Sequence, residues 1–119
     1  MTTFALGAFM AALGVGLGAF GAHALGDVGP ARMAWWTTAT HYWFIAALGV
    51  MAWAAILRGG PAPGGPTATL IAGATIFSGT LYAMALGGPR WLGAVTPVGG
   101  VALIAGFAWI GLRALQAPR

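Results

Sequence analysis

The sequence predicts an all-α fold: an integral membrane four-helix bundle with Gly/Ala-rich packing and a Pro-kinked fourth helix, in a single transmembrane domain over residues 1–119. Three observations carry that prediction. Hydrophobic residues make up 60% of the chain and charged residues 5%, with a mean hydropathy of +0.88. A soluble domain carries about a quarter charged residues. Four apolar stretches stand out, at residues 3–25, 35–57, 67–88 and 91–115, each 22 to 25 residues long. None holds an acidic side chain, the one acid being Asp27. A helix rises about 1.5 Å per residue and the hydrocarbon core is about 30 Å thick, so each stretch spans it with some tilt. Barrel strands would be about ten residues long and would alternate in hydrophobicity.

The first stretch is read as a retained span. Ala22-His23-Ala24 imitates a small-x-small cleavage site, but no Lys or Arg precedes the apolar run, which is longer than a signal peptide needs. Placed at 100° intervals, its residues form three faces. Leu6, Met10, Leu13, Leu17 and Phe20 make a bulky one. Ala5, Ala8, Ala12, Gly16, Ala19 and His23 make a second, and Gly7, Ala11, Gly14, Gly18 and Ala22 a third, with one Gly-x-x-x-Gly. Lipid gives no hydrophobic drive between helices, so close backbone approach through small residues must supply the association. The pattern predicts tight packing of the first helix against two neighbours, and self-association.

The linkers are short. Gly26–Ala34 holds Asp27, Gly29 and Pro30. Arg58–Pro66 reads RGGPAPGGP and cannot be helical throughout. The third link is a few residues long, so the third and fourth spans form a tight antiparallel hairpin. Pro97 lies about seven residues into the fourth span, followed by Gly99 and Gly100. Proline lacks the backbone donor and clashes with the carbonyl one turn back, that of Gly93. A kink or a broken first turn and a half is expected there. Either the kink packs against neighbours, or a liganded break lines a cavity.

Four spans put both termini on one side, with Arg58, Arg113 and Arg119, and leave Arg32, Arg90 and Asp27 on the other. Three arginines against two favour cytoplasmic termini by the positive-inside rule. Antiparallel alternation brings His23, His41, Tyr42, Tyr82 and Thr96 to the leaflet away from the termini, with Arg90, Trp35, Trp36, Trp43 and Trp91. Ser78 joins them as the i, i+4 partner of Tyr82. Trp53 and Trp109 lie in the opposite leaflet. Two accounts fit this distribution. One is an interfacial aromatic belt with ordinary packing. The other is a ligand pocket, because ionisable groups within spans mark functional sites. That pocket would be lined by His23, Tyr82, Arg90 and Thr96, with His41 or Tyr42 at its edge, and would open to the non-cytoplasmic side.

The residue inventory opposes catalysis. A single acid excludes paired carboxylates, no cysteine is present, and neither a nucleophile elbow nor a phosphate loop occurs. Ligation of haem by His23 and His41 has no attachment motif behind it. The five arginines sit singly at loops and ends, which speaks against nucleic-acid binding. No enzyme, cofactor or metal site is expected.

Three segments carry a family resemblance: Gly18–Leu25 (GAFGAHAL), Phe77–Tyr82 (FSGTLY) and Arg90–Gly100 (RWLGAVTPVGG). In this order they resemble the domain-of-unknown-function 423 family of small four-span membrane proteins, whose animal relatives are transmembrane protein 256-like. Two positions depart from the family pattern. Ala46 stands where the family usually has a histidine about a turn after Tyr42, and Phe107 stands where it often has tryptophan. The resemblance implies four helices and an inner-membrane location, and implies no activity. The functional expectation is a small membrane protein, with the lipid bilayer as its surroundings, that binds or passes a small solute or lipid at its polar site. The alternative is an accessory or assembly subunit packing against a larger membrane complex.

Overall fold

The computed structural model describes residues 2–57 and 64–116, which form four helices. They are α1 (Thr2–Ala24), α2 (Pro30–Ile56), α3 (Gly64–Ala85) and α4 (Leu92–Gln116). All four are long and apolar enough to cross a membrane. Most of the second linker, together with Arg58 and Arg119 of the charge comparison, lies outside the described residues.

The helix ends differ from the apolar stretches for local reasons. α2 starts at Pro30, five residues before the apolar run, because proline at the first helical position loses no bond and has its φ preset. Gly29, at φ 93°, makes the entry turn. α3 likewise starts at Gly64, inside the Gly/Pro-rich linker, and Pro66 sits in its first turn. It ends at Ala85 rather than Gly88. The Gly88 amide donates to the Ala83 carbonyl at 2.8 Å and that of Gly87 to Met84 at 3.1 Å, with Gly87 at φ 102°. This is a Schellman closure, which needs a residue at positive φ. α4 runs as a continuous helix through Pro97, so the expected break is absent. Pro97 is exposed and its ring fills no interface.

Packing follows chain order: α1 on α2, α2 on α3, and α3 on α4, with a light contact between α2 and α4. Among the described residues α1 has no comparable interface with α3 or α4, so the bundle is open. Of the two neighbours expected for α1, α2 is the main one among the described residues. The central core is small: Met10, Ala46, Ala47, Val50, Leu70, Ala74 and Leu103. Close approach replaces bulk. A Cβ on Gly73 would stand 2.8 Å from the Leu103 amide, and one on Gly99 would meet the α3 backbone at Gly73 and Phe77. Gly106 faces Leu70 in the same antiparallel register.

Candidate functional site

The α1–α2 interface is built by two indoles. Trp36 and Trp43 are seven apart on α2, hence on one face. Trp36 Nε1 donates to the Leu17 carbonyl and Trp43 Nε1 to the Met10 carbonyl, each at 2.7 Å. The acceptors are also seven apart, running in the opposite sense. The indoles have room because Gly21 and Gly14 lie opposite. A Cβ on Gly21 would collide with the Trp36 ring, and one on Gly14 would stand 3.1 Å from Trp43 Cδ1 and 2.9 Å from Phe44 Cε1. Gly7 continues the seam against Met51 and the Ala47 carbonyl. The seam therefore repeats every seven residues through Gly7, Gly14 and Gly21, and the four-residue step from Gly14 to Gly18 lies beside it. A Gly18 Cβ would meet only Thr40 Cγ2, at 3.7 Å, and Ala22 is exposed.

Trp36 also links α2 to α3. It is 4% exposed and lies 4.4 Å from the Tyr82 ring and 5.4 Å from that of Phe20. Thr40 Oγ1 donates to the Trp36 carbonyl at 3.0 Å and pairs with the Tyr82 hydroxyl at 2.7 Å. Threonine has one hydroxyl proton, so with that proton on the Trp36 carbonyl, Tyr82 is the donor to Thr40. One turn earlier on α3, Ser78 Oγ donates to the Ala39 carbonyl at 2.7 Å. Burying these hydroxyls is tolerated because each finds a partner.

The anticipated site residues occupy separate surroundings. Tyr82 and Ser78 serve the α2–α3 interface. Thr96 pairs with Thr80 at 2.6 Å between α3 and α4. Arg90 is exposed, with its guanidinium 5.9 Å above the Trp35 ring. His23 is exposed in the last turn of α1. His23, Tyr82, Arg90 and Thr96 do not share a pocket among the described residues. Packing in chain order is the reason, since among the described residues α1 and α4 have no comparable interface through which His23 and Thr96 could meet. Gly99 lies in the α3–α4 seam, and Gly100 stands at its margin, where a Cβ would lie 3.6 Å from the Phe77 ring.

A groove of about 470 Å³ does open between α1 and α2, walled by Gly18, Ala22, Trp36, Thr37, Thr40 and His41. His41 and Thr37 are exposed on it. His41 lies eleven residues into α2, and six residues, about 9 Å along the axis, past the start of its apolar run. Its ring stacks edge-on to Tyr42 at 5.1 Å, and no hydrogen bond holds it among the described residues. Tyr42 turns the other way, edge-on to Phe77 at 5.0 Å. Sequence reasoning selected His41 and missed Thr37, Thr40 and Trp36 as its surroundings. The signal available was the shared seven-residue spacing of Trp36 and Trp43 with Gly14 and Gly21.

Comparison with known proteins places these features in a wider set. The family model described as "Protein of unknown function (DUF423)" matches residues 17–100, which includes the groove and the α3–α4 turn. The chain is 40% identical over 109 residues to the UPF0382 membrane protein YwdK of Bacillus subtilis, covering 88% of this chain and 87% of YwdK. It is 39% identical over 120 residues to the UPF0382 membrane protein SERP0230 of Staphylococcus epidermidis, covering 93% of each. With the UPF0382 inner membrane protein YgdD of Escherichia coli K12 the identity is 35% over 108 residues, covering 88% and 82%. No solved structure shows a significant match.

Proposed function

The chain belongs to the DUF423 family, a small multi-pass membrane protein family whose description assigns no function, and from that premise we propose that it binds a small polar solute in the α1–α2 groove. The observation that supports this reading is His41. An imidazole inside an apolar span with no hydrogen-bond partner among the described residues is costly, and ionisable groups within spans mark functional sites. The groove beside it, at about 470 Å³, falls in the range of ligand pockets. Thr37 adds a hydroxyl, Thr40 turns its methyl toward Gly18, and Trp36 supplies a rigid wall. The role is binding or passage rather than catalysis, because the groove offers one titratable group and no nucleophile–base pair. In this reading the chain sits in a bacterial inner membrane, as the name of YgdD says of that relative, with both termini cytoplasmic.

A second reading is supported by α1. Its outward face carries Ala5, Ala12, Gly16, Ala19 and His23, all exposed, and a Cβ on Gly16 would meet nothing within 4 Å. Small residues turned away from the chain's own helices suit packing against another membrane protein or a second copy. Purification in mild detergent, with mass spectrometry of what co-purifies, separates the two. A small molecule carried by the natural protein and lost in His41→Ala supports the groove. A stoichiometric protein partner, released by Gly16→Leu and unaffected by His41→Ala, overturns it in favour of the subunit.

A further inference from the structure

We propose a second site, on a different side of α2, that holds one anionic glycerophospholipid with its phosphate at Arg32 and Arg90 and an acyl chain in the groove between α2, α3 and α4. The headgroup end is already arranged. Arg32 Nε donates to the Ala85 carbonyl at 2.7 Å, which satisfies a C-terminal carbonyl of α3 and fixes the guanidinium beside the α3–α4 turn. A Cβ on Gly87 in that turn would lie 3.6 Å from Arg32 Nη2. Arg32 and Trp35 are three apart on α2 and share a face, and Arg90 lies over Trp35. Both guanidinia thus flank the same turn. With its Nε engaged, Arg32 keeps its Nη nitrogens for a ligand. At this end of the molecule Asp27 is the one acid, and one carboxylate cannot neutralise two arginines. The surplus charge favours an anion, and arginine matches phosphate with paired donors.

The chain end lies below. An apolar groove of about 510 Å³ is lined by Tyr42, Ile45, Phe77, Leu103, Ile104 and Phe107. Tyr42 follows Trp35 by seven residues, so it sits on the same stripe of α2, about 10 Å deeper. On α4 the groove runs from Gly100 to Phe107, another 10 Å or so along the axis. The basic turn and the apolar groove are therefore stacked along the helix axes, in the order in which a lipid carries its phosphate and its chain. A soluble anion would use the upper half alone. A partner helix would have no use for guanidinia set at the headgroup level. A lipid uses both.

The test is native mass spectrometry of the protein in dodecyl maltoside, titrated with phosphatidylglycerol and with phosphatidylcholine of equal chain length. Phosphatidylglycerol is expected to be retained preferentially. Arg90→Gln should cut that preference about fivefold, and Arg32→Gln by a similar factor. Should Arg32→Gln lose the fold with its tie to Ala85, Arg90→Gln carries the charge arm alone. Gly100→Leu places its Cβ in ordinary contact with Phe77 and extends into the groove, so it should weaken both lipids and leave their ratio intact. His41→Ala, which removes a ring packed against Tyr42, should still leave the ratio of the two lipids intact, which keeps the headgroup site separate from the solute groove. Equal retention of the two lipids by the natural protein, or an unchanged ratio in Arg90→Gln, overturns the proposal. Displacement of phosphatidylglycerol by millimolar inorganic phosphate also overturns it, in favour of a soluble anion.

Discussion

Trp36 and Gly21 share one volume: the indole on α2 lies where a β-carbon on Gly21 of α1 would stand. The indole nitrogen reaches the carbonyl of Leu17, four residues before that glycine on the same helix. The pair couples steric fit to a hydrogen bond. The bond forms because the side chain opposite is missing, and it sets the axial register of α1 on α2.

Gly21→Ala forces the Trp36 ring to move and is expected to cost about 1–3 kcal/mol, as overpacked cores do. Gly16→Ala meets open space and should be neutral or slightly stabilising, since alanine favours the helix by about 1 kcal/mol. Thermal unfolding of the purified protein in detergent reads both. Equal effects at positions 16 and 21 would mean that the Trp36 contact does not limit the packing.

Tyr82→Phe and Thr40→Val remove the two ends of one interhelical hydrogen bond. Their double-mutant cycle should show a coupling of about 0.6 kcal/mol, the usual value for such bonds in membranes. Zero coupling would dismiss the assigned Tyr82-to-Thr40 bond.

Thr67 and Trp53 are 8% and 3% exposed, and Thr67 Oγ1 and Trp53 Nε1 have no hydrogen-bond partner among the described residues. Replacing an unpartnered buried hydroxyl by a methyl of the same shape removes a desolvation cost. Thr67→Val should therefore be neutral or stabilising by up to about 1 kcal/mol. Ser78→Ala, which loses the bond to Ala39, should destabilise by about 1 kcal/mol. A matching loss in both variants would show that Thr67 is satisfied.

Orientation is open to a clean assay because the chain has no cysteine. With both termini cytoplasmic, a cysteine at Gly26 in the α1–α2 link is expected to react with an impermeant thiol reagent in intact cells. One at Leu115 should react only after permeabilisation. The reverse pattern would invert the topology.

The sequence showed the spans because length and apolarity are additive and need no knowledge of neighbours. It misjudged ends where the helix outruns its apolar part, at Pro30 and at Gly64, since proline and glycine read as breakers unless their place in the first turn is known. Trp36 and Trp43 looked like belt residues because any tryptophan at that depth does. Their direction, toward α1 rather than the headgroups, depends on Gly21 and Gly14 lying opposite. Grouping α1 by its four-residue steps put Gly18 in the seam, while packing followed the seven-residue step. The order of packing was hidden because helices apolar on all sides carry no stripe to say which face meets which neighbour. That order is what separates His23 from Thr96.

Packing in chain order also bears on assembly. Each helix rests mainly on the one before it, so every main interface can close once its second member has left the ribosome. The α1–α2 hairpin already owns both indole bonds before α3 exists. α3 then adds the Tyr82 and Ser78 bonds to a surface that is waiting for it, and α4 zips onto α3 through Gly73 and Gly99. No helix must be held apart until a distant one arrives, as a closed ring of helices would require.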